Sequence, residues 1–182
     1  MKIDWVEYSI KGKKIKAKVT IPEKGDKKIL REIYFKWKEL NDNLKKISTR
    51  GINIPDTLTE NAFCLFFPEY VRIAKLEGEK CSFDCISKVT GEKVQVKAAS
   101  IYPDLSTFGP KSEYDRLFFC DFSKGDGSFK VYDVPVNEVK KVEVKKGLTF
   151  EQRQAEGKRP RFSIIQEFTL KRGLKPVKVC KL

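Results

Sequence analysis

Apolar and polar positions alternate over the first twenty residues in the manner of half-buried strands. Asp4–Ile10 leads through Lys11–Lys14, with Gly12, into Ile15–Ile21, where Ile15, Ala17, Val19 and Ile21 alternate with polar neighbours. This predicts an N-terminal β-hairpin over residues 1–22. Pro22 to Asp26 reads as a turn, with Asp26 placed to cap a helix from Lys27 to about Ile47. Ile29, Ile33, Trp37, Leu40, Leu44 and Ile47 recur at three- and four-residue steps, predicting one core-facing stripe opposite a solvated lysine face.

After a loop at Ser48–Pro55, a second helix is expected from Asp56 or Thr57, with Thr57-x-x-Glu60 fitting a capping box. Ala62, Phe63, Leu65, Phe66 and Phe67 make it nearly all apolar, and Pro68 bends it or ends its first half. Cys81–Ser100 then reads as two short strands joined at Gly91. Asp84 sits on the first, and Gln95 and Lys97 share one face of the second, since side chains two apart on a strand point together.

Ile101–Glu113 is a loop with Pro103, Gly109 and Pro110. Arg116–Phe122 and Phe129–Val134 form a second hairpin around SKGDGS, and Pro135 can start a short helix. Thr149 can cap a helix ending at Gly157, KRPRFSII leads into an apolar strand, and Val177–Cys180 is a last short strand. With no repeat or long linker, residues 1–182 read as one α/β domain whose basic C-terminal segment, 149–182, belongs to it.

Composition narrows the chemistry. Thirty-eight Lys and Arg against 25 Asp and Glu give a net charge of +13, which favours a polyanionic partner or, more simply, reflects a lysine-rich surface. Five cysteines without CxxC spacing read as reduced thiols, and a Cys81/Cys85 zinc half-site would lack further ligands. No run suits a membrane span and MKIDWVEYSI lacks signal-peptide layout, so a cytoplasmic protein with no membrane partner is expected. The absence of histidine removes Ser-His-Asp, Cys-His and histidine–metal hydrolases. Any hydrolysis must use carboxylates, lysine, metal and water.

Asp84, Gln95 and Lys97 suit that chemistry. Mg²⁺ prefers oxygen ligands and keeps several waters. The Asp84 carboxylate, the Gln95 side chain and the Val96 backbone carbonyl could supply the protein's share, with Lys97 orienting water or offsetting charge on a pentavalent transition state. The plainer reading is a hairpin face with ordinary polar residues. Glu60 either caps its helix or adds a carboxylate to the site.

The order Glu60 on a helix, then Asp84, then Gln95-Val-Lys97 resembles the PD-(D/E)XK nuclease superfamily, with Phe83-Asp84 in place of PD. Three blocks, RGINIPDTLTE (Arg50 to Glu60), VKAASIYPDLSTFGPKSEYDRLFF (Val96 to Phe119) and EQRQAEGKRPRFSI (Glu151 to Ile164), resemble small type II restriction endonucleases that cut short, interrupted GC-rich sites. The resemblance implies a mixed β-sheet flanked by helices, Mg²⁺ as cofactor, and site-specific cleavage of double-stranded DNA by a homodimer in a prokaryotic cytoplasm. It also implies a companion DNA methyltransferase of the same specificity. Gln95 departs from the usual acid, which bears on the number of bound metals, although some enzymes of this kind carry glutamine there. Glu60 could compensate by holding a water on the metal.

Contacts to DNA are expected from Ser100, Ser106, Thr107, Lys111 and Arg116 in and after the loop, and from Lys158, Arg159 and Arg161. A guanidinium can reach guanine O6 and N7 together, though Arg159 and Arg161 suit phosphate clamps or ion pairs equally well. Asp104 reads as a supporting or capping acid. Two other functions fit the composition: a junction-resolving or repair nuclease, and a non-catalytic DNA-binding module in which Gln95 marks lost metal chemistry.

Overall fold

The computed structural model describes residues 1–10, 12–48, 51–78 and 80–182. The turn residue Lys11 and the loop residue Arg50 therefore lie outside the described residues. β1 (Lys2–Ile10) and β2 (Lys13–Ile21) form the antiparallel hairpin that the alternation predicts, with Ala17 and Val19 turned inward.

α1 (Asp26–Ile47) has the expected length but a different rotation. Leu30, Tyr34, Trp37 and Asn41 face the core, whereas Ile29, Ile33, Leu40 and Ile47 are 42–84 % exposed. Tyr34 stacks on Phe122 at 5.7 Å and Trp37 Nε1 donates to the Asn53 carbonyl at 3.0 Å, and together these fix the helix about its axis. Asp26 does not cap the helix. It is the first helical residue, and its carboxylate instead accepts from the Glu23 N–H in the preceding turn.

α2 (Asp56–Phe66) starts after Pro55 without a side-chain cap, so the Thr57/Glu60 capping box does not form. Glu60 is drawn sideways to Arg72 instead. Pro68 ends the helix, and the chain turns into β3 (Tyr70–Leu76), a strand that the apolar run after Pro68 did not announce. β4 (Cys85–Ser87) and β5 (Lys93–Ala99) are the hairpin around Gly91, whose φ of +70° suits a residue without Cβ.

β6 (Ser106–Thr107) lies within the loop, and β7 (Arg116–Asp121) and β8 (Ser128–Val134) form the next hairpin. α3 (Val136–Lys140) follows Pro135, then β9 (Glu143–Lys145) and β10 (Leu148–Thr149) form a small ribbon. α4 (Phe150–Ala155) carries a complete Thr149/Gln152 capping box. The strand expected in RFSII shrinks to β11 (Arg161–Phe162), because Asp104 captures the next N–H groups and starts a π-helix, Ile165–Leu170. β12 (Lys178–Lys181) closes the chain onto β8.

Eight strands form one mixed sheet in the order β1-β2-β3-β4-β5-β7-β8-β12, and a second ribbon pairs β6 with β11. Only β5 and β7 pair in parallel among the described residues. One face packs Val94, Val96 and Phe118 against Tyr34, Trp37 and Phe63 of α1 and α2. The other packs Leu117 and Phe119 against Phe108, Phe150, Phe162 and Phe168. Each such side chain contributes roughly 1.5–3 kcal/mol by leaving water, so the sheet at β5 and β7 is packed on both faces. No described helix is long and apolar enough to cross a membrane.

Candidate active site

The site forms where the sheet forks. β3 and β4 stay paired as far as Arg72 opposite Cys85, and the Asp84 backbone adds one rung on each side. Its carbonyl accepts from Ile73 N at 2.8 Å, and its N–H donates to Val94 O at 3.0 Å. Beyond Asp84 the chain leaves the sheet, while β5 runs on through Val96 to Ala99 with β7 beside it. The carboxylate of Asp84 points into the fork.

Asp84 Oδ2 accepts from the Val96 N–H at 2.9 Å and from Gln95 Nε2. The N–H and C=O of one strand residue point the same way, so the Val96 carbonyl also faces the fork. Burial pushes the Asp84 carboxyl up, against the opposing pull of the Val96 N–H and Lys97. Lys97 shares the Gln95 face, with Nζ 5.5 Å from the Phe108 ring centroid. That ring holds a cation without neutralising it.

Glu60 approaches from the α2 side. Its carboxyl is pushed up to about 7, first by burial and then by the Asp84 charge, with Arg72 pulling the other way. Arg72 Nε donates to Glu60 Oε2 at 2.5 Å, and the same guanidinium reaches Thr57 Oγ1 at 3.4 Å. Burial outweighs the ion pair here because the carboxylate loses water on nearly every side. Sequence reasoning missed Arg72 along with β3. The alternation of YVRIAKL was the available signal.

Fit to a divalent ion can be judged from the donors. Asp84 offers an anionic oxygen, and Gln95 and Val96 offer neutral carbonyl oxygens. This hard-oxygen set suits Mg²⁺, which keeps several waters. Among the described residues no three carboxylates or thiols close into a ready-made cage.

Beside the end of β5 lies a cleft of about 250 Å³, lined by Ser100, Ser106, Asp56, Asn41 and Gly51 among others. Gly51 has no room for a side chain. A Cβ there would stand 2.0 Å from Asn41 Oδ1, which accepts the Ile52 N–H at 2.9 Å. Asp104 proves to be a buried cap: it accepts from Ile164 N at 2.9 Å, Ile165 N at 3.2 Å and the Ser163 hydroxyl. It thereby ties the loop after β5 to the C-terminal segment.

The other expected contacts separate into groups. Thr107 pairs with Arg161 in the β6–β11 ribbon, and Phe108 stacks on Phe162 at 5.5 Å, so this ribbon adjoins Lys97. Arg161, Arg159 and Lys158 line an open cleft of about 440 Å³ together with Lys145 and Arg153, two cations the sequence pattern did not single out. Ser106 is buried, with its hydroxyl on Asp104. Arg116 starts β7, at the end of that strand remote from Lys97, and is engaged by Asp133 and by the Tyr70 hydroxyl at 2.7 Å. Lys111 is exposed on a separate groove with Lys80 and Cys81. The structure thus gathers Glu60, Asp84, Gln95 and Lys97 at the fork and leaves Lys111 and Arg116 apart from it.

A sequence model of the Bsp6I restriction endonuclease family matches residues 22–171. The type II restriction enzyme Bsp6I of Bacillus sp. (strain RFL6) is 31 % identical over 147 residues, covering 79 % of this chain and 81 % of that enzyme. No solved structure matches the chain.

Proposed function

The chain belongs to the Bsp6I restriction endonuclease family and is a type II restriction enzyme. From that premise we propose that it hydrolyses phosphodiester bonds of double-stranded DNA, with Mg²⁺, at a short GC-rich near-palindromic site. The observation that carries this reading is the fork, where one half-buried acid and one amide are hydrogen-bonded and one lysine shares the amide's strand face, against the Phe108 ring that stacks on the β6–β11 ribbon.

A divalent ion held by Asp84, the Gln95 carbonyl oxygen and the Val96 carbonyl would supply Lewis-acid polarisation of the scissile phosphoryl group. Gln95 has its Nε2 on Asp84, which leaves Oε1 as the donor to spare. Lys97 places an ammonium where negative charge grows on the phosphoryl oxygens, in a setting drier than bulk water and therefore stronger. The group acts as a positive charge and as a hydrogen-bond donor at the phosphoryl group and the attacking water. Glu60 keeps one carboxylate oxygen beyond its Arg72 contact and orients that water from the helix side.

The β6–β11 ribbon and the basic cleft are the DNA-facing surface in this reading. Arg159 and Arg161 suit guanine edges, and Lys145, Arg153 and Lys158 suit phosphates. Cutting both strands of a near-palindrome calls for two sites related by a two-fold axis, which a homodimer provides. An enzyme of this kind needs a methyltransferase of equal specificity as its partner in the cell. Digestion of a sequenced plasmid with Mg²⁺, followed by mapping of the ends, tests the proposal. Discrete fragments with one shared end sequence are expected, and intact plasmid with every divalent metal offered overturns it.

A further inference from the structure

We propose that Arg72 is a positioning residue that keeps Glu60 out of the metal's ligand set and limits each site to one divalent ion. The inference rests on the fork being the metal site.

The geometry gives Glu60 a partner before any ion arrives. Arg72 Nε donates to Glu60 Oε2 at 2.5 Å, with the two side chains only 19 % and 9 % exposed. The guanidinium has little freedom to leave, because its strand is paired on both sides, Arg72 lying opposite Thr20 of β2 and Cys85 of β4. A second bond, to Thr57 Oγ1 at 3.4 Å, ties it to the first turn of α2. A metal ion claiming Glu60 as a ligand would have to displace a cation that Glu60 and Thr57 hold together.

Charge points the same way. Asp84 and Glu60 contribute two negative charges at the fork, Arg72 and Lys97 contribute two positive ones, and Gln95 contributes none. With Glu60 ionised these four charges cancel, and Asp56, whose charge both carboxyls feel, adds one more negative charge nearby. One divalent ion turns the site positive, matched to a phosphodiester whose negative charge grows during attack. A second ion would add two further positive charges around the phosphate, while Arg72 already holds the Glu60 carboxylate. Where two acids would recruit a second metal, Arg72 is already the second cation.

Manganese counted by electron paramagnetic resonance, with the whole protein at equilibrium, tests this without reference to cleavage. One Mn²⁺ per chain is expected, and two per chain overturns the proposal. Arg72→Met should release Glu60 and either add a second equivalent or tighten binding at least ~5-fold, whereas Arg72→Lys should behave as the unaltered chain. Unchanged binding in Arg72→Met overturns the idea. If that variant does not fold, Glu60→Gln decides, since it should bind Mn²⁺ within ~2-fold of the unaltered chain, and a tenfold loss would make Glu60 a ligand. Asp84→Asn distinguishes the role of Arg72 from that of the fork. It should lose Mn²⁺ binding, and retention would sink the fork as the metal site whatever Arg72 does.

Discussion

Gln95 Nε2 donates to Asp84 Oδ2 at the point where β4 leaves the sheet. An amide beside the acid can do what a second acid cannot, which is to stabilise the carboxylate by hydrogen bonding before a metal is present. Gln95→Glu removes that donor and sets two carboxylates side by side. The metal-free protein should melt several degrees lower, and Mg²⁺ or Mn²⁺ should bind at least ~5-fold tighter and restore the loss through linkage. Calorimetric titration with parallel melting curves checks this. Weaker binding in the variant would take Gln95 out of the metal site.

Asp84→Ala and Lys97→Ala should each lower the cleavage rate by ~10²–10³-fold, the scale seen when a group aimed at developing charge is removed. Lys97 meets the ribbon only through the Phe108 ring, and the Asp84 carboxylate is held by Gln95 and Val96, so metal-free DNA binding should stay within ~3-fold. Cleavage kinetics together with fluorescence anisotropy on the same duplex separate the two effects. Cutting that survives both substitutions would overturn the assignment.

Glu60 makes metal-free stability depend on pH. Its carboxyl titrates near 4.5 when unfolded and at about 7 in the folded chain. The folded protein thus holds a proton that the unfolded chain has already released. Stability from this group is complete below about 4.5 and is lost as pH rises through about 7. The loss is on the order of 3 kcal/mol, and Asp84, shifted upward too, adds in the same direction. Urea unfolding in EDTA from pH 5 to 8 should show the decline, and Glu60→Gln should flatten it.

Asp104→Ala strips the cap from Ile164 N and Ile165 N and leaves two buried donors without a partner. Charged hydrogen bonds of this sort are worth about 1.5–3 kcal/mol each, so a loss of about 3 kcal/mol is expected by denaturant titration. Asp104→Asn should recover part of it.

In the basic cleft, Lys145→Gln and Arg153→Gln should weaken binding to all duplexes alike. Removing one phosphate-binding cation should make the log–log salt dependence shallower by about 0.9. Arg161→Ala should instead narrow the gap between cognate and mismatched duplexes by about 1–3 kcal/mol. A uniform weakening for Arg161 as well would make it a phosphate-binding residue.

Period alone exposed much of this arrangement. The alternation in β2 and around Gln95-Val-Lys97 shows which side chains share a face, and Thr149 was legible as a helix cap, though its Gln152 partner was not. The rotation of α1 was not, because Ile29, Ile33 and Leu40 make as good a helical stripe as Leu30, Tyr34 and Trp37. Only the partners, Phe122 and the Asn53 carbonyl, choose between them. β3 was hidden behind Pro68 at the end of an apolar helix, and Arg72 was hidden with it. Asp104 could be recognised as a supporting acid, but its partners lie 59 to 61 residues away, beyond any local pattern.

The β6–β11 ribbon pairs Ser106 and Thr107 with Phe162 and Arg161. During synthesis β5, β7 and β8 can pair once Val134 has emerged, yet the ribbon must wait for Phe162, 28 positions later. At translation rates of about 5–20 residues per second that delay is roughly 1.5–5.5 seconds. Under the proposed function, a nascent chain therefore holds the groups assigned to catalysis before it holds the surface assigned to DNA. In that reading the order of the strands separates the two in time.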